Sequence, residues 1–131
     1  MQCVKANIPI TIIEGGTYDK TFRWESGGVV VDLTGYTAKM SVRTKLTSAA
    51  AVISITTAVS PWSADGDSGI YIDDPATGEY RVYINDEDAA DILIEHKDTA
   101  GVYDLFLYSA TGEAVLKQYG KATLLAAVTR T

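Results

Sequence analysis

In the stretch VVVDLTGYTAKMSVRTK, residues 29–45, Ala38, Met40 and Val42 alternate with Lys39, Ser41 and Arg43. A period of two puts the apolar set on one face of a strand and the polar set on the other. The same alternation recurs along the chain. Ile8, Ile10 and Ile12 form one face, and after EGG the segment TYDKTFRW sets Tyr18, Phe22 and Trp24 against Asp19, Thr21 and Arg23, with Lys20 interrupting the apolar row. A β-branched strand is predicted from Val52 to Thr57, and GIYIDD pairs with GEYRVYI across PATG, where Tyr80, Val82 and Ile84 share a face. GVYDLFLYS, the turn ATGE, AVLKQYG and KATLLAAVTR predict a three-strand meander at the carboxyl end.

Between these segments lie turn signals with a mechanism. The paired glycines of SGGVV supply the positive φ values of a tight hairpin. In DLTG, Asp32 can accept a hydrogen bond from the backbone N–H two residues on, and Gly35 suits a left-handed conformation. PWSADGDSG is a loop, because Pro61, Gly66 and Gly69 interrupt any period. One short helix is predicted: Asn85 is a good N-cap, Asp86, Glu87 and Asp88 suit the positive end, and Ala89, Ile92 and Leu93 fall at helical spacing.

Many short strands, one brief helix and turns rich in Gly and Asp predict an all-β fold, an antiparallel β-sandwich of about eight strands, Ig-like or jelly-roll-like, with a small barrel as the alternative. At 131 residues the chain is expected to fold as a single domain over 1–131, with residues 1–7 an extended amino-terminal arm. Hydrophobic residues make up 47% of it and charged residues 21%, a globular composition rather than a disordered one.

Charge narrows the functional classes. The net charge is −6, with six Lys/Arg against four Asp/Glu in residues 1–50 and five against thirteen in residues 51–131. That balance disfavours nucleic acid, which needs a basic face. The acids from Asp65 to Asp98 form a solvated face or meet the basic side of a neighbouring subunit. Cys3 is the only cysteine, so an intrachain disulfide is excluded. MQCVKANIPI is too polar for a signal peptide and no segment approaches a membrane-spanning length, so no membrane partner and assembly in a cytoplasm are expected.

Candidate chemistry is sparse. His96 is the only histidine and has no accompanying Ser or Cys motif, so neither a Ser-His-Asp nor a Cys-His site has support, and a loop histidine is expected. No phosphate-binding glycine loop occurs. Asp65, Asp67, Asp73 and Asp74 cluster in SADGDSGIYIDD as hard-cation ligands do, but in the frame of an EF-hand Gly69 replaces the third oxygen ligand and Ala76 the twelfth. A solvated turn is the expectation, and no catalytic, cofactor-binding or metal residue is assigned. Eight tyrosines and two tryptophans could stack on sugar rings, yet most lie on strands beside core positions. Tyr36, Trp62 and Tyr119, near turns, are the candidates for an exposed platform.

Taken in order, TYDKTFRW, VDLTGYTAKMSVR, GEYRVYINDEDAADI and GVYDLFLYSATGEAVLKQYGKATLLAAVTR resemble a group of small bacteriophage virion proteins. The matching positions are Asp32 to Tyr36, Arg43, Gly78 to Ile84, Tyr103 to Leu105 and Val128 to Arg130. The chain is similar, too, to the amino-terminal β-sandwich domain of phage baseplate upper proteins, where a fibre follows, whereas this chain stops after the sandwich. The resemblance implies a non-enzymatic assembly component without cofactors, on the tail, baseplate or fibre attachment or as a capsid decoration. It implies homo-oligomers and contact with a larger virion protein. The competing class is a carbohydrate-binding module or adhesin-like domain.

Overall fold

In the computed structural model, which describes residues 6–13, 15–43, 53–58, 62–63, 66–95 and 99–125, the alternating segments become strands. In chain order they are β1 (Ala6–Asn7), β2 (Ile10–Ile13), β3 (Tyr18–Arg23), β4 (Glu25–Ser26), β5 (Val29–Val30), β6 (Thr37–Arg43), β7 (Ile53–Thr56), β8 (Gly69–Tyr71), β9 (Glu79–Ile84), β10 (Thr99–Tyr108) and β11 (Ala114–Leu125), with helix α1 (Asp86–Glu95) between β9 and β10. The larger sheet runs β11, β10, β6, β7, with β1 and β2 both on the free side of β11. The smaller sheet runs β3, β9, β8, and β4 and β5 form a separate ribbon.

The fold is all-β and sandwich-like. The two sheets bury one continuous core: Ala38, Met40 and Val42 from β6 and Leu105 and Leu107 from β10 meet Tyr80, Val82 and Ile84 from β9 and Trp24 from the end of β3. Each large apolar side chain buried there contributes about 1.5–3 kcal/mol. A bridge between Thr57 and Ile70, with the Ala58 N–H donating to the Ile70 carbonyl at 2.9 Å, ties the sheets along one side. On another side α1 lies against β2 and lowers Ala89 into the core.

Local chemistry fixes the turns. Gly27 and Gly28 have φ of 60° and 81°, the two positive values of a tight hairpin, and Glu25 pairs with Val30 across it. The Asp32 carboxylate accepts the Thr34 N–H at 2.9 Å and the Thr34 hydroxyl at 2.6 Å, and these bonds hold its pKa below the usual carboxylate range. At the start of α1, the Asn85 side-chain oxygen accepts the Asp88 N–H at 2.8 Å, the expected cap. The helix spans the predicted positions, although the side chains of Ile92 and Leu93 lie outside the described part.

Two sequence expectations are corrected. AVLKQYG and the described part of KATLLAAVTR, through Leu125, are not two strands of a meander but one strand, β11, paired antiparallel with β10 from Thr99–Leu124 to Tyr108–Ala114. Gly120 serves a close approach instead: a Cβ there would lie 2.8 Å from the carbonyl oxygen of Ile8. That approach exists because the amino-terminal segment pairs parallel with β11, Ala6 opposite Gln118 and Ile10 opposite Ala122. Ala6 and Asn7, expected within an extended amino-terminal arm, are paired in the larger sheet, and Pro9, which has no N–H, separates β1 from β2. Residues 1–5, including Cys3, lie outside the described residues.

Candidate functional site

Three places collect polar or exposed aromatic side chains: the interior seam between the sheets, the outer side of the smaller sheet, and the outer side of the larger one.

The seam is created by a β-bulge. Leu105 pairs with Gln118, but Phe106 pairs with Leu116, so Lys117 is the extra residue and both Lys117 and Gln118 are buried. The Tyr80 hydroxyl, on the smaller sheet, donates to Gln118 Oε1 at 2.6 Å. Gln118 Nε2 donates to the Tyr103 hydroxyl at 3.0 Å, and that hydroxyl donates to the Ile8 carbonyl. The chain of bonds therefore ties β9, β11, β10 and the amino-terminal segment. Burial raises the pKa of Tyr80, Tyr18 and Tyr103 above the ordinary phenol value. Lys117 places its ammonium 4.9 Å from the ring centre of Trp24, which also meets the edge of Tyr36 at 6.1 Å.

On the outer side of the smaller sheet, β3 and β9 set Asp19 against Arg81 in a two-pronged ion pair at 2.7 Å for each bond. The bond to Asp19 is the main cause that raises the Arg81 pKa. The same guanidinium lies 3.4 Å from the ring centre of Trp62, and Trp62 packs edge-on to Tyr83 at 5.8 Å. Tyr71 meets Tyr83 at 6.3 Å and donates its hydroxyl to the Asp67 carbonyl. A cavity of about 120 Å³ lies beside this cluster, lined by Thr21, Tyr71, Asp73, Asp74, Glu79, Tyr80 and Arg81.

The sequence-predicted residues are distributed as follows. Asp73 and Asp74 line that cavity, where Asp73 accepts the Trp62 N–H at 3.0 Å; Asp67 is exposed, and Asp65 lies outside the described residues. Among the described residues no group of three or more His, Cys, Asp or Glu side chains is placed to hold a metal ion. His96 lies outside the described residues. Of the three aromatic candidates, Tyr36 packs on the core, Trp62 has a ring face covered by Arg81, and Tyr119 is 38% exposed on β11. Two hydroxyl–carboxylate pairs, Thr34–Asp32 and Ser68–Asp88, serve a turn and the start of α1.

The third place is the outer side of the larger sheet. Phe106 and Tyr108, on β10, stack at 6.3 Å, and Leu116 stands beside Phe106 in register. Lys39 on β6, exposed, stands beside Phe106; further along β10 come Asp104, opposite Tyr119, and then Val102 between Arg43 and the exposed Lys121. Leu125 and Ile13, at 40% and 48% exposed, lie side by side at the far end of this sheet, nine residues along β11 from Leu116. Of the sequence candidates Tyr119, opposite Asp104, lies on this face; its other residues alternate with core positions and read simply as the solvent side of strands.

No family model matches this sequence, and a search of curated proteins finds no match. The motifs behind the virion resemblance fall at structural landmarks: Asp32 to Tyr36 is the turn into β6, Gly78 to Ile84 is β9 leading to α1, and Tyr103 to Leu105 is central in β10. Val128 to Arg130 lies outside the described residues. No described helix is long and apolar enough to cross a membrane.

Proposed function

We propose that this chain is a non-enzymatic structural subunit of a bacteriophage virion, a small assembly module of the tail, baseplate or fibre attachment or a capsid decoration. It is put together in the host cytoplasm and contacts copies of itself and a larger virion protein. The observation that carries this reading is the outer side of the larger sheet, where Phe106, Tyr108 and Leu116 stand half-buried with Lys39 beside Phe106 and with Lys121 and Arg43 either side of Val102 further along. A face of that composition suits a protein partner, since aromatic anchors with a charged rim are the usual anatomy of interfaces. The motif order of the virion resemblance supports it, and the net charge of −6 fits a protein partner better than a nucleic acid.

The carbohydrate-binding alternative draws on the exposed aromatics. The Arg81 guanidinium occupies a ring face of Trp62 that a pyranose would use, which leaves Tyr119 as the exposed ring among the three candidates. Deleting the gene from the phage that encodes it separates the classes. The structural reading expects incomplete or unstable particles whatever the host surface carries. Intact particles that fail only on hosts bearing a particular glycan would establish the alternative.

A further inference from the structure

We propose that the β4–β5 hairpin of one copy docks on the outer side of the larger sheet of the next copy, in a heterologous contact that repeats through the assembly. The inference gives a geometry to the self-contacts of the structural-subunit reading and rests on it.

The hairpin is an exposed apolar tip with no described role in the core. Val29 is 69% exposed, the highest value among the exposed large hydrophobic residues described, and Val30 is 36% exposed. Among the described residues β4 and β5 pair only with each other, and a lone two-stranded ribbon is marginal in water. Yet its base is firmly held: the Val31 N–H donates to the Trp24 carbonyl at 3.0 Å, and the Trp24 N–H to the Gly78 carbonyl at 2.9 Å. Gly78 lets the ribbon lie close, since a Cβ there would come within 2.8 Å of Val30 Cγ1. The two valines are thus presented on a fixed mount.

The surroundings of the tip and of the sheet face are complementary. Near the hairpin stand Glu25, Asp32, Asp74 and Glu79, with Arg23 paired to Glu79 at 3.0 Å and to Glu25 at 3.6 Å. An excess of carboxylates therefore rims an apolar tip. The larger sheet offers the reverse: the strip of Phe106, Tyr108 and Leu116 has Lys39 beside Phe106, and four residues along β10 Lys121 and Arg43 stand either side of Val102, so the face carries three cations against Asp104 between them. Both halves belong to one chain, but the hairpin hangs from β3 of the smaller sheet and the core separates it from its own complementary face. The contact must therefore be between copies. Hairpin against hairpin would oppose carboxylates, and face against face would oppose lysines, so charge selects the head-to-tail arrangement.

The test is sedimentation velocity on the full chain over a dilution series at about 0.05 M and about 0.5 M salt, where exposed charges are respectively felt and screened. Wild type should self-associate, more weakly at high salt. Val29→Asp and the double variant Lys39→Glu/Lys121→Glu should each weaken association about tenfold or more, with melting temperatures close to wild type because all three positions are exposed. A mixture of the two variants carries one intact hairpin and one intact face, so it should form a one-to-one pair that grows no further. A wild type that stays monomeric, variants that assemble like wild type, or a mixture that remains monomeric while wild type assembles would each overturn the contact. These outcomes are independent of whether the chain is found in virions: a chain absent from particles that still pairs this way sinks the virion reading alone.

Discussion

Replacing Gln118 by Leu tests whether the bonded seam between the sheets stabilises the fold. Gln118 is 1% exposed and Tyr80 2% exposed, so water cannot replace what is lost. In Gln118→Leu the Tyr80 hydroxyl loses its acceptor, which costs about 1–3 kcal/mol for a buried donor, and Tyr103 loses an incoming bond while keeping the Ile8 carbonyl. A total of about 2–3 kcal/mol corresponds to a fall of roughly 8–12 °C in melting temperature for a domain of this size. Tyr80→Phe alone strands the Gln118 oxygen and should cost about 1–2 kcal/mol. The double variant removes donor and acceptor together, so its loss should fall short of the sum by about 1–2 kcal/mol. Urea unfolding of the four proteins measures that coupling. Losses additive within about 0.5 kcal/mol would show that Tyr80 and Gln118 do not act as a pair.

Met40→Asp should cost several kcal/mol, because Met40 is 1% exposed and faces the core, whereas Lys39→Asp should cost under about 0.5 kcal/mol; equal losses on thermal melting would mean that the faces of β6 are misassigned. Gly78→Ala should destabilise by more than about 1 kcal/mol and disturb the hairpin, since φ is 71° and the new Cβ would meet the Trp24 carbonyl at 2.8 Å; an unchanged urea midpoint would refute the close packing. Stability should also decline with rising alkalinity. The phenols of Tyr18, Tyr80 and Tyr103 have raised pKa values in the fold, chiefly through burial, so above about pH 10 the unfolded chain releases protons that the folded chain keeps, and folding weakens as pH rises. The urea midpoint should be level near pH 8–9 and drop from about pH 10, more gently in Tyr80→Phe, and a level profile through about pH 11 would contradict the burial of these phenols.

What the sequence made legible was local. The alternation in β6 and β9, the glycine pair of the β4–β5 hairpin, the Asp32 turn and the Asn85 cap each depend on residues within a few positions of one another, and each is found where the pattern places it. What it hid was non-local. Nothing near Lys117 and Gln118 announces a bulge, which exists only in relation to the register of β10. Gly120 carries the same letter whether it turns the chain or admits a neighbouring carbonyl, and only the parallel pairing of the amino-terminal segment decides between them. Trp62 read as an exposed ring beside a turn because Arg81, which covers it, comes from a strand on the far side of the loop. The apolar strip of Phe106, Tyr108 and Leu116 was equally hidden, since it joins the outward positions of two strands whose pairing had to be known first.

The central proposal is that this chain is a building part of a bacteriophage particle, and quantitative mass spectrometry of density-purified virions from cultures that carry its gene tests that most directly. The account expects the chain in particles that survive high-salt washing, at a copy number that is a fixed multiple set by the symmetry of the tail, baseplate or capsid. A chain abundant in the infected cell but absent from washed virions, or present at a copy number that varies between preparations, would contradict it.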